Sequence, residues 1–190
     1  MCRYWYALQN GWKHKSELKN FVIQPKLKLN TLPELTVGFL ESAEVAVLVL
    51  DFDGVLAPHD ADQPTPEAES WLQKMSLTLG EQRIAILSNK PKPKRLAYFK
   101  KHFPNIQFIY GVAKKPYPDG LWDIANSRGI AFNRLLLVDD RLLTGMLASC
   151  LAPCQALYFV NPVKSYRAHF FKELFFSMLR SLERVLVKIS

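Results

Sequence analysis

The sequence predicts an α/β protein: a single domain built on a five-stranded parallel sheet with helices on both faces. Three observations carry that expectation. From Val45 onward, short apolar runs alternate with longer helical patterns, the order that gives parallel strands joined by right-handed crossovers. The run Val45-Ala46-Val47-Leu48-Val49-Leu50 is apolar throughout and too short to span a membrane, so it reads as a strand buried on both faces. Polar residues follow several of the runs directly, where open α/β sheets bind ligands. The 190 residues suit one domain.

The elements are expected in the following order. Residues 1–30 read as a basic, irregular arm: Arg3, Lys13, Lys15, Lys19, Lys26 and Lys28 face only Glu17, with Trp5 and Trp12 interleaved. Residues 31–190 form the domain. Pro33, favoured in a first helical turn, opens a short helix over 33–43. The first strand ends at Asp51. A Pro- and Asp-rich loop leads to Thr65, which caps a helix with Pro66 at its first position. Arg83 to Leu87 is the second strand, and Pro91 opens a helix to about His102. Ile106 to Ile109 is the third strand, followed by a helix from Asp119 that Gly129 ends. Leu135 to Val138 is the fourth, Leu142 to Cys150 is helical, and Ala156 to Val160 is the fifth. An amphipathic helix over 165–188 closes the chain.

The net charge of +8 implies anionic partners: phosphates, nucleic acid or an acidic membrane surface. A basic surface that serves solubility is the alternative. Three cysteines give no disulfide framework and suit a reducing compartment. Cys150 and Cys154 read as small buried residues rather than zinc ligands. No apolar segment is long enough to cross a bilayer, and no signal peptide is expected. The expected location is the cytoplasm, with peripheral contact on the inner face of the membrane.

Four stations carry the chemistry. Asp51 and Asp53 follow the first strand, Ser88-Asn89 the second, Lys114-Lys115-Pro116 the third and Asp139-Asp140 the fourth. Two acids after one strand are equally compatible with a solvated loop. In register with three further stations, they fit phosphoryl transfer. One carboxylate can attack phosphorus, and another can protonate the leaving oxygen and then activate water. A hydroxyl, backbone N–H groups and a lysine can hold the phosphoryl oxygens. Mg²⁺ prefers oxygen ligands and links carboxylates to phosphate. Gly54 allows a tight turn beside the phosphate.

Asp51-Phe52-Asp53-Gly54-Val55, Ser88-Asn89, Lys115 and Asp139-Asp140 resemble the four motifs of the haloacid dehalogenase (HAD) superfamily. The resemblance implies a Rossmann-like domain of HAD type. It makes Asp51 the nucleophile and a metal ligand, and Asp53 the general acid/base whose backbone carbonyl binds Mg²⁺. Ser88 binds the phosphoryl group, helped by Asn89. Lys115 offsets charge on Asp51 and the phosphate, and Asp140 completes the metal site with Asp139 in support. Lys114 is the lesser candidate, because the family places its lysine directly before Pro.

Lys115-Pro116, Asp140-Arg141-Leu142-Leu143-Thr144 and Leu182-Glu183-Arg184 are similar to the YqeG-type branch of subfamily IIIA. This resemblance covers roughly residue 20 to the end. The branch includes phosphatidylglycerophosphate phosphatases, which act at the membrane. Three departures stand out. The branch usually has Asn-Thr where this chain has Gly54-Val55, commonly Gly where it has Asp139, and often an acid where it has Gly145. Substrate identity is the property they touch, since paired acids at 139–140 are an accepted variant of the superfamily.

Neither the loop after Asp53 nor the one after the third strand is long enough for a cap domain. The site is therefore expected to be open, which suits a large or surface-embedded substrate. A basic run, Lys90, Lys92, Lys94, Arg95, Lys100 and Lys101, lies beyond Ser88 and reads equally as a substrate guide or a solvated face. The apolar stripe of the terminal helix, from Phe170 to Leu186, is expected to pack mostly into the core, with some aromatic surface left for lipid. His59, in the loop after Asp53, reads as a solvated loop residue, with substrate contact as the alternative. His14, His102 and His169 show no ligand spacing.

Three functions follow in order of preference. The first is a Mg²⁺-dependent phosphatase acting on phosphatidylglycerophosphate. The second is a phosphatase of the same type acting on a phosphoprotein, sugar phosphate or nucleic-acid end. The third is a non-catalytic module that binds anionic lipid. No base-reading motif marks a specific nucleic-acid partner.

Overall fold

Alternate side chains of a strand leave on opposite faces of its sheet. In β2 (Val47–Leu50), Leu48 and Leu50 join one layer of the core while Val47 and Val49 join the other. The computed structural model describes residues 2–189, without the side chains of residues 167–169 and 189. His169 therefore lies outside the described side chains. β1 (Lys28–Leu29), β2, β3 (Ile84–Leu87), β4 (Gln107–Ile109), β5 (Leu135–Asp139) and β6 (Gln155–Phe159) form one parallel sheet in the order β1-β6-β5-β2-β3-β4.

The sheet has six strands rather than the expected five. The addition, β1, is two residues long and sets Lys28 opposite Tyr158 and Leu29 opposite Phe159. So short a piece shows no apolar run or alternation, and the exposed edge of β6 makes it a strand. From β2 the chain steps outward through β3 and β4, then crosses back to β5 and steps outward to β6. The reversal falls between β2 and β5, whose register sets Leu50 beside Val138. Asp51 and Asp139-Asp140 thus emerge side by side at the topological switch point.

Helices α3 (Val37–Ser42), α4 (Pro66–Leu79) and α5 (Pro93–His102) cover one face through Leu40, Trp71, Leu72 and Phe99. Helices α1 (Arg3–Lys13), α2 (Lys15–Ile23), α6 (Asp119–Arg128) and α7 (Leu147–Leu151) cover the other through Ala7, Leu18, Phe21, Ile124 and Leu147. Thr65 caps α4 by accepting from the Ala68 N–H at 3.2 Å. The helix expected from Pro91 begins at Pro93, because a residue before proline is driven out of the helical region and Lys92 is extended. The helix expected over 142–150 starts with a wider, π-helical turn at Leu142–Met146. The first thirty residues are more regular than their composition indicates. α1 and α2 hold most of them, and the buried side of these helices was masked by aromatic residues on the opposite side.

The last helix, α8 (Tyr166–Ile189), overturns the expected packing. Its inward residues are Glu173, Arg180, Glu183 and Val187, while Phe171, Phe175, Met178 and Leu182 are exposed. The apolar stripe therefore faces outward. From Glu173 to Glu183 the inward face is polar because it meets charged groups at the carboxyl ends of β2 and β5, while Val187 further on joins the core.

Candidate active site

Asp51 sits one residue past β2, its carboxylate fixed by its own turn: Oδ1 accepts from the Phe52 N–H at 2.8 Å. Lys115 Nζ lies 3.0 Å from the same oxygen and 2.5 Å from Asp139 Oδ2. Asn89 holds the lysine's backbone from both sides. Its Oδ1 accepts from the Lys115 N–H at 2.7 Å, and its Nδ2 donates to the Lys115 carbonyl at 3.2 Å. Lys115 is buried and Lys114 exposed. Asp140 is buried beside them, and Arg180 Nη1 reaches its Oδ2 at 2.5 Å.

Asp53 points into a different set of partners. Arg95 grips it with two bonds, Nη1 to Oδ2 at 2.9 Å and Nη2 to Oδ1 at 2.7 Å. The same guanidinium donates to the carbonyls of Ala61 and Lys90, reaches Ser88 Oγ at 3.4 Å and lies over the Phe52 ring. Arg95 thereby ties the turn after β2 to the end of β3. The planar fork suits a carboxylate in a way a lysine does not.

Two glycines allow the carboxylates to close in. Gly54 has φ +89°, and a Cβ there would stand 2.4 Å from Asp140 Oδ2. A Cβ on Gly145 would stand 2.0 Å from Asp139 Cγ. The Asp139 carboxylate thus occupies the room that a side chain at 145 would need.

The electrostatics follow from burial. Burial pushes Asp51 well above the usual carboxylate range; Lys115 opposes this, while Asp139, Asp140 and Asp53 add to it. Burial and Asp139 raise Asp140 to about 7, against the pull of Arg180 and Arg141. Burial works against the charge on Lys115, but Asp139 and Asp51 outweigh it and raise its pKa. Oxygens of Asp51, Asp139 and Asp140 lie within 4.8 Å of one another, and Asp140 Oδ1 is buried without a hydrogen-bond partner. An all-oxygen donor set under mutual repulsion, with one orphaned oxygen, fits a hard divalent cation. Asp53's carboxylate is not part of this trio.

Sequence reasoning missed the residues that α8 and α5 bring in. Besides Arg95 and Arg180, Glu183 pairs with Arg141 and accepts from the Leu142 N–H at 3.0 Å. His59 is buried rather than solvated: its N–H donates to Glu173 at 2.9 Å and its ring stacks on Phe176 at 3.8 Å. Burial lowers its pKa, with Glu173 opposing. Usable signals existed. Arg95 is an arginine within a lysine run, and Glu173 and Arg180 stand seven apart, on one helical face. No cap domain interrupts the fold, but α8 lies across the site, leaving Asp51 only 8% and Ser88 7% exposed. A cleft of about 340 Å³ lined by Ser88, Asn89, Tyr110, Val112 and Lys114 opens beside them.

Residues 16–164 match the family described as mitochondrial PGP phosphatase. The chain belongs to that family. No curated protein matches it. One solved structure aligns at a TM-score of 0.51 and 13% identity, over 77% of this chain and 86% of its own. An uncharacterized protein from Corynebacterium glutamicum is 18% identical over 72% of this chain and 94% of that one, at 0.49. The cobalt-bound deoxy-D-mannose-octulosonate 8-phosphate phosphatase from Haemophilus influenzae is 17% identical over 75% and 90%, at 0.47. This PGP phosphatase family member is a phosphatase of HAD type acting on a phosphorylated substrate, with a buried acidic trio suited to a divalent metal. No helix among the described residues is long and apolar enough to cross a membrane.

Proposed function

We propose that the protein is a Mg²⁺-dependent phosphomonoesterase that converts phosphatidylglycerophosphate to phosphatidylglycerol through an aspartyl-phosphate on Asp51. The observation that carries the reading is the meeting of Asp51, Lys115, Asp139 and Asp140 at the switch between β2 and β5. The lipid substrate is supported by the family description.

In this reading an Asp51 oxygen bonds to phosphorus as the ester oxygen leaves with a proton from Asp53. Asp53 then takes a proton from water, which attacks the phosphorus and frees inorganic phosphate and Asp51. Arg95 holds Asp53 in place, Ser88 Oγ and the Asn89 backbone bind phosphoryl oxygens, and Lys115 balances charge between Asp51 and the phosphate. Mg²⁺, held by Asp51, Asp140 and the Asp53 carbonyl with Asp139 in support, would neutralise both the acids and the phosphate. A reducing compartment, the cytoplasm or the mitochondrion of the family description, agrees with three free cysteines.

The test is phosphate release from phosphatidylglycerophosphate, a phosphopeptide, a sugar phosphate and an oligonucleotide phosphate, with Mg²⁺ and with chelator. The lipid is expected to turn over fastest, with activity lost on chelation. Asp51→Asn should lower turnover by about a thousandfold or more. Equal, weak rates on all four substrates would overturn the lipid assignment. Full activity in Asp51→Asn would overturn the mechanism.

A further inference from the structure

α8 carries two faces of opposite chemistry. Behind it lie Asp140, His59 and Arg141, bound by Arg180, Glu173 and Glu183. In front, Phe171, Leu174, Phe175, Met178, Leu182 and Val185 are exposed, Phe171 at 83%. α1 repeats the pattern: Trp5, Leu8 and Trp12 recur at helical spacing and are exposed, Trp12 at 72%. α2 touches both helices. Both α1 and α8 lie outside the residues 16–164 that match the family.

We propose that the outward faces of α8 and α1 seat in the interfacial layer of an anionic lipid bilayer, with α8 lying in its plane. Charge selects this occupant. Among the described residues neither helix exposes a carboxylate, since α1 contains none and Glu173 and Glu183 of α8 are buried. The exposed cations around the faces are Lys172 and Lys188 on α8, with Lys13 on α1; Lys172 also pairs with Asp60 of the loop behind it. A second copy of the chain would bring Lys188 and Lys13 against their equals, with no exposed acid on either helix to pair them. Anionic headgroups accept the cations while the acyl boundary accepts the rings, the arrangement of an interfacial helix. α8 has 24 residues, a length of about 36 Å, yet it is too charged to cross.

The proposal deepens the lipid-phosphatase reading, because the docked helix stands directly in front of the site. Its test separates the two. The full chain is floated with phosphatidylcholine vesicles and with vesicles of equimolar phosphatidylcholine and phosphatidylglycerol. Binding is expected only to the anionic vesicles and should weaken with salt. The triple variant Phe171→Ser, Met178→Ser, Leu182→Ser should lose at least about tenfold in partitioning. Its hydrolysis of water-soluble para-nitrophenyl phosphate should stay within about twofold of the parent, which also reports a folded site. Trp5→Ser with Trp12→Ser should weaken binding independently.

Unchanged partitioning in both variants, equal binding to neutral vesicles, or a parent protein that stays in solution would overturn the proposal. So would a dimer of the parent that ignores vesicles and that the triple variant dissolves. Loss of all phosphatase activity in the parent would instead sink the catalytic reading and leave the binding result standing.

Discussion

α4 and α8 are both amphipathic, and they are installed in opposite senses. α4 buries Trp71, Leu72 and Met75 against the sheet and turns Glu67 outward, with Glu69 half-buried at the edge. α8 buries Glu173, Arg180 and Glu183 and turns phenylalanines outward. The difference lies in what each helix faces. α4 covers the side of the sheet, where the strands present apolar groups. α8 covers the strand ends, where β2 and β5 deliver carboxylates and the turn after them delivers Arg141. A buried charge needs an opposite charge and hydrogen bonds, so the polar side of α8 is the side that can be buried there. Amphipathic spacing says that a helix has two faces; the surface beneath it says which one goes in.

The two helices should therefore respond to substitution in different ways. The largest loss is expected for Arg180→Met, which leaves the buried Asp140 without its cation partner. Breaking such a pair costs about 3–5 kcal/mol, read by urea unfolding of the metal-free protein. A loss under about 1 kcal/mol would mean that polar contact does not hold α8. Leu72→Ala in α4, fully buried in the core, should cost about 2–5 kcal/mol through cavity formation.

A smaller effect should come from the acids under α8. Asp140 is raised to about 7, so its folded form favours the proton. Its contribution to stability is therefore present near the ordinary carboxylate value, about 4, and is lost as pH rises through about 7. A cation competes with that proton. The stabilisation by Mg²⁺, seen as a rise in Tm, should grow from about pH 5 to about pH 8, its free energy changing by at most about 1.4 kcal/mol per pH unit for each proton displaced. Equal shifts at both ends would break the link between the raised acid and the metal. The smallest effect is expected for Phe171→Ser in α8, within about 0.5 kcal/mol of the parent. A loss as large as that of Leu72→Ala would show that the outward face is packed after all.

Much of the site could be read from local pattern. Asp51, Ser88, Lys115 and Asp140 each follow a strand, and parallel strands carry such residues to one end of the sheet. β1 could not be read, because two residues paired to the edge of β6 leave no periodicity. Arg95 hid in a lysine run, and its meaning depends on the turn after β2 reaching α5. Asp139 and Gly145 looked like separate oddities. Six positions apart, they are complementary only because the π-helical turn brings position 145 against the carboxylate.

Periodicity and strand-end polar residues were enough to define the α/β class and the four stations at the strand ends, because both depend on neighbours along the chain. The sense of α8, the grip of Arg95 on Asp53 and that of Arg180 on Asp140 depend on contacts spanning roughly forty residues. No local spacing encodes these contacts. They arise when folding brings charged groups together away from water, where each must find a partner.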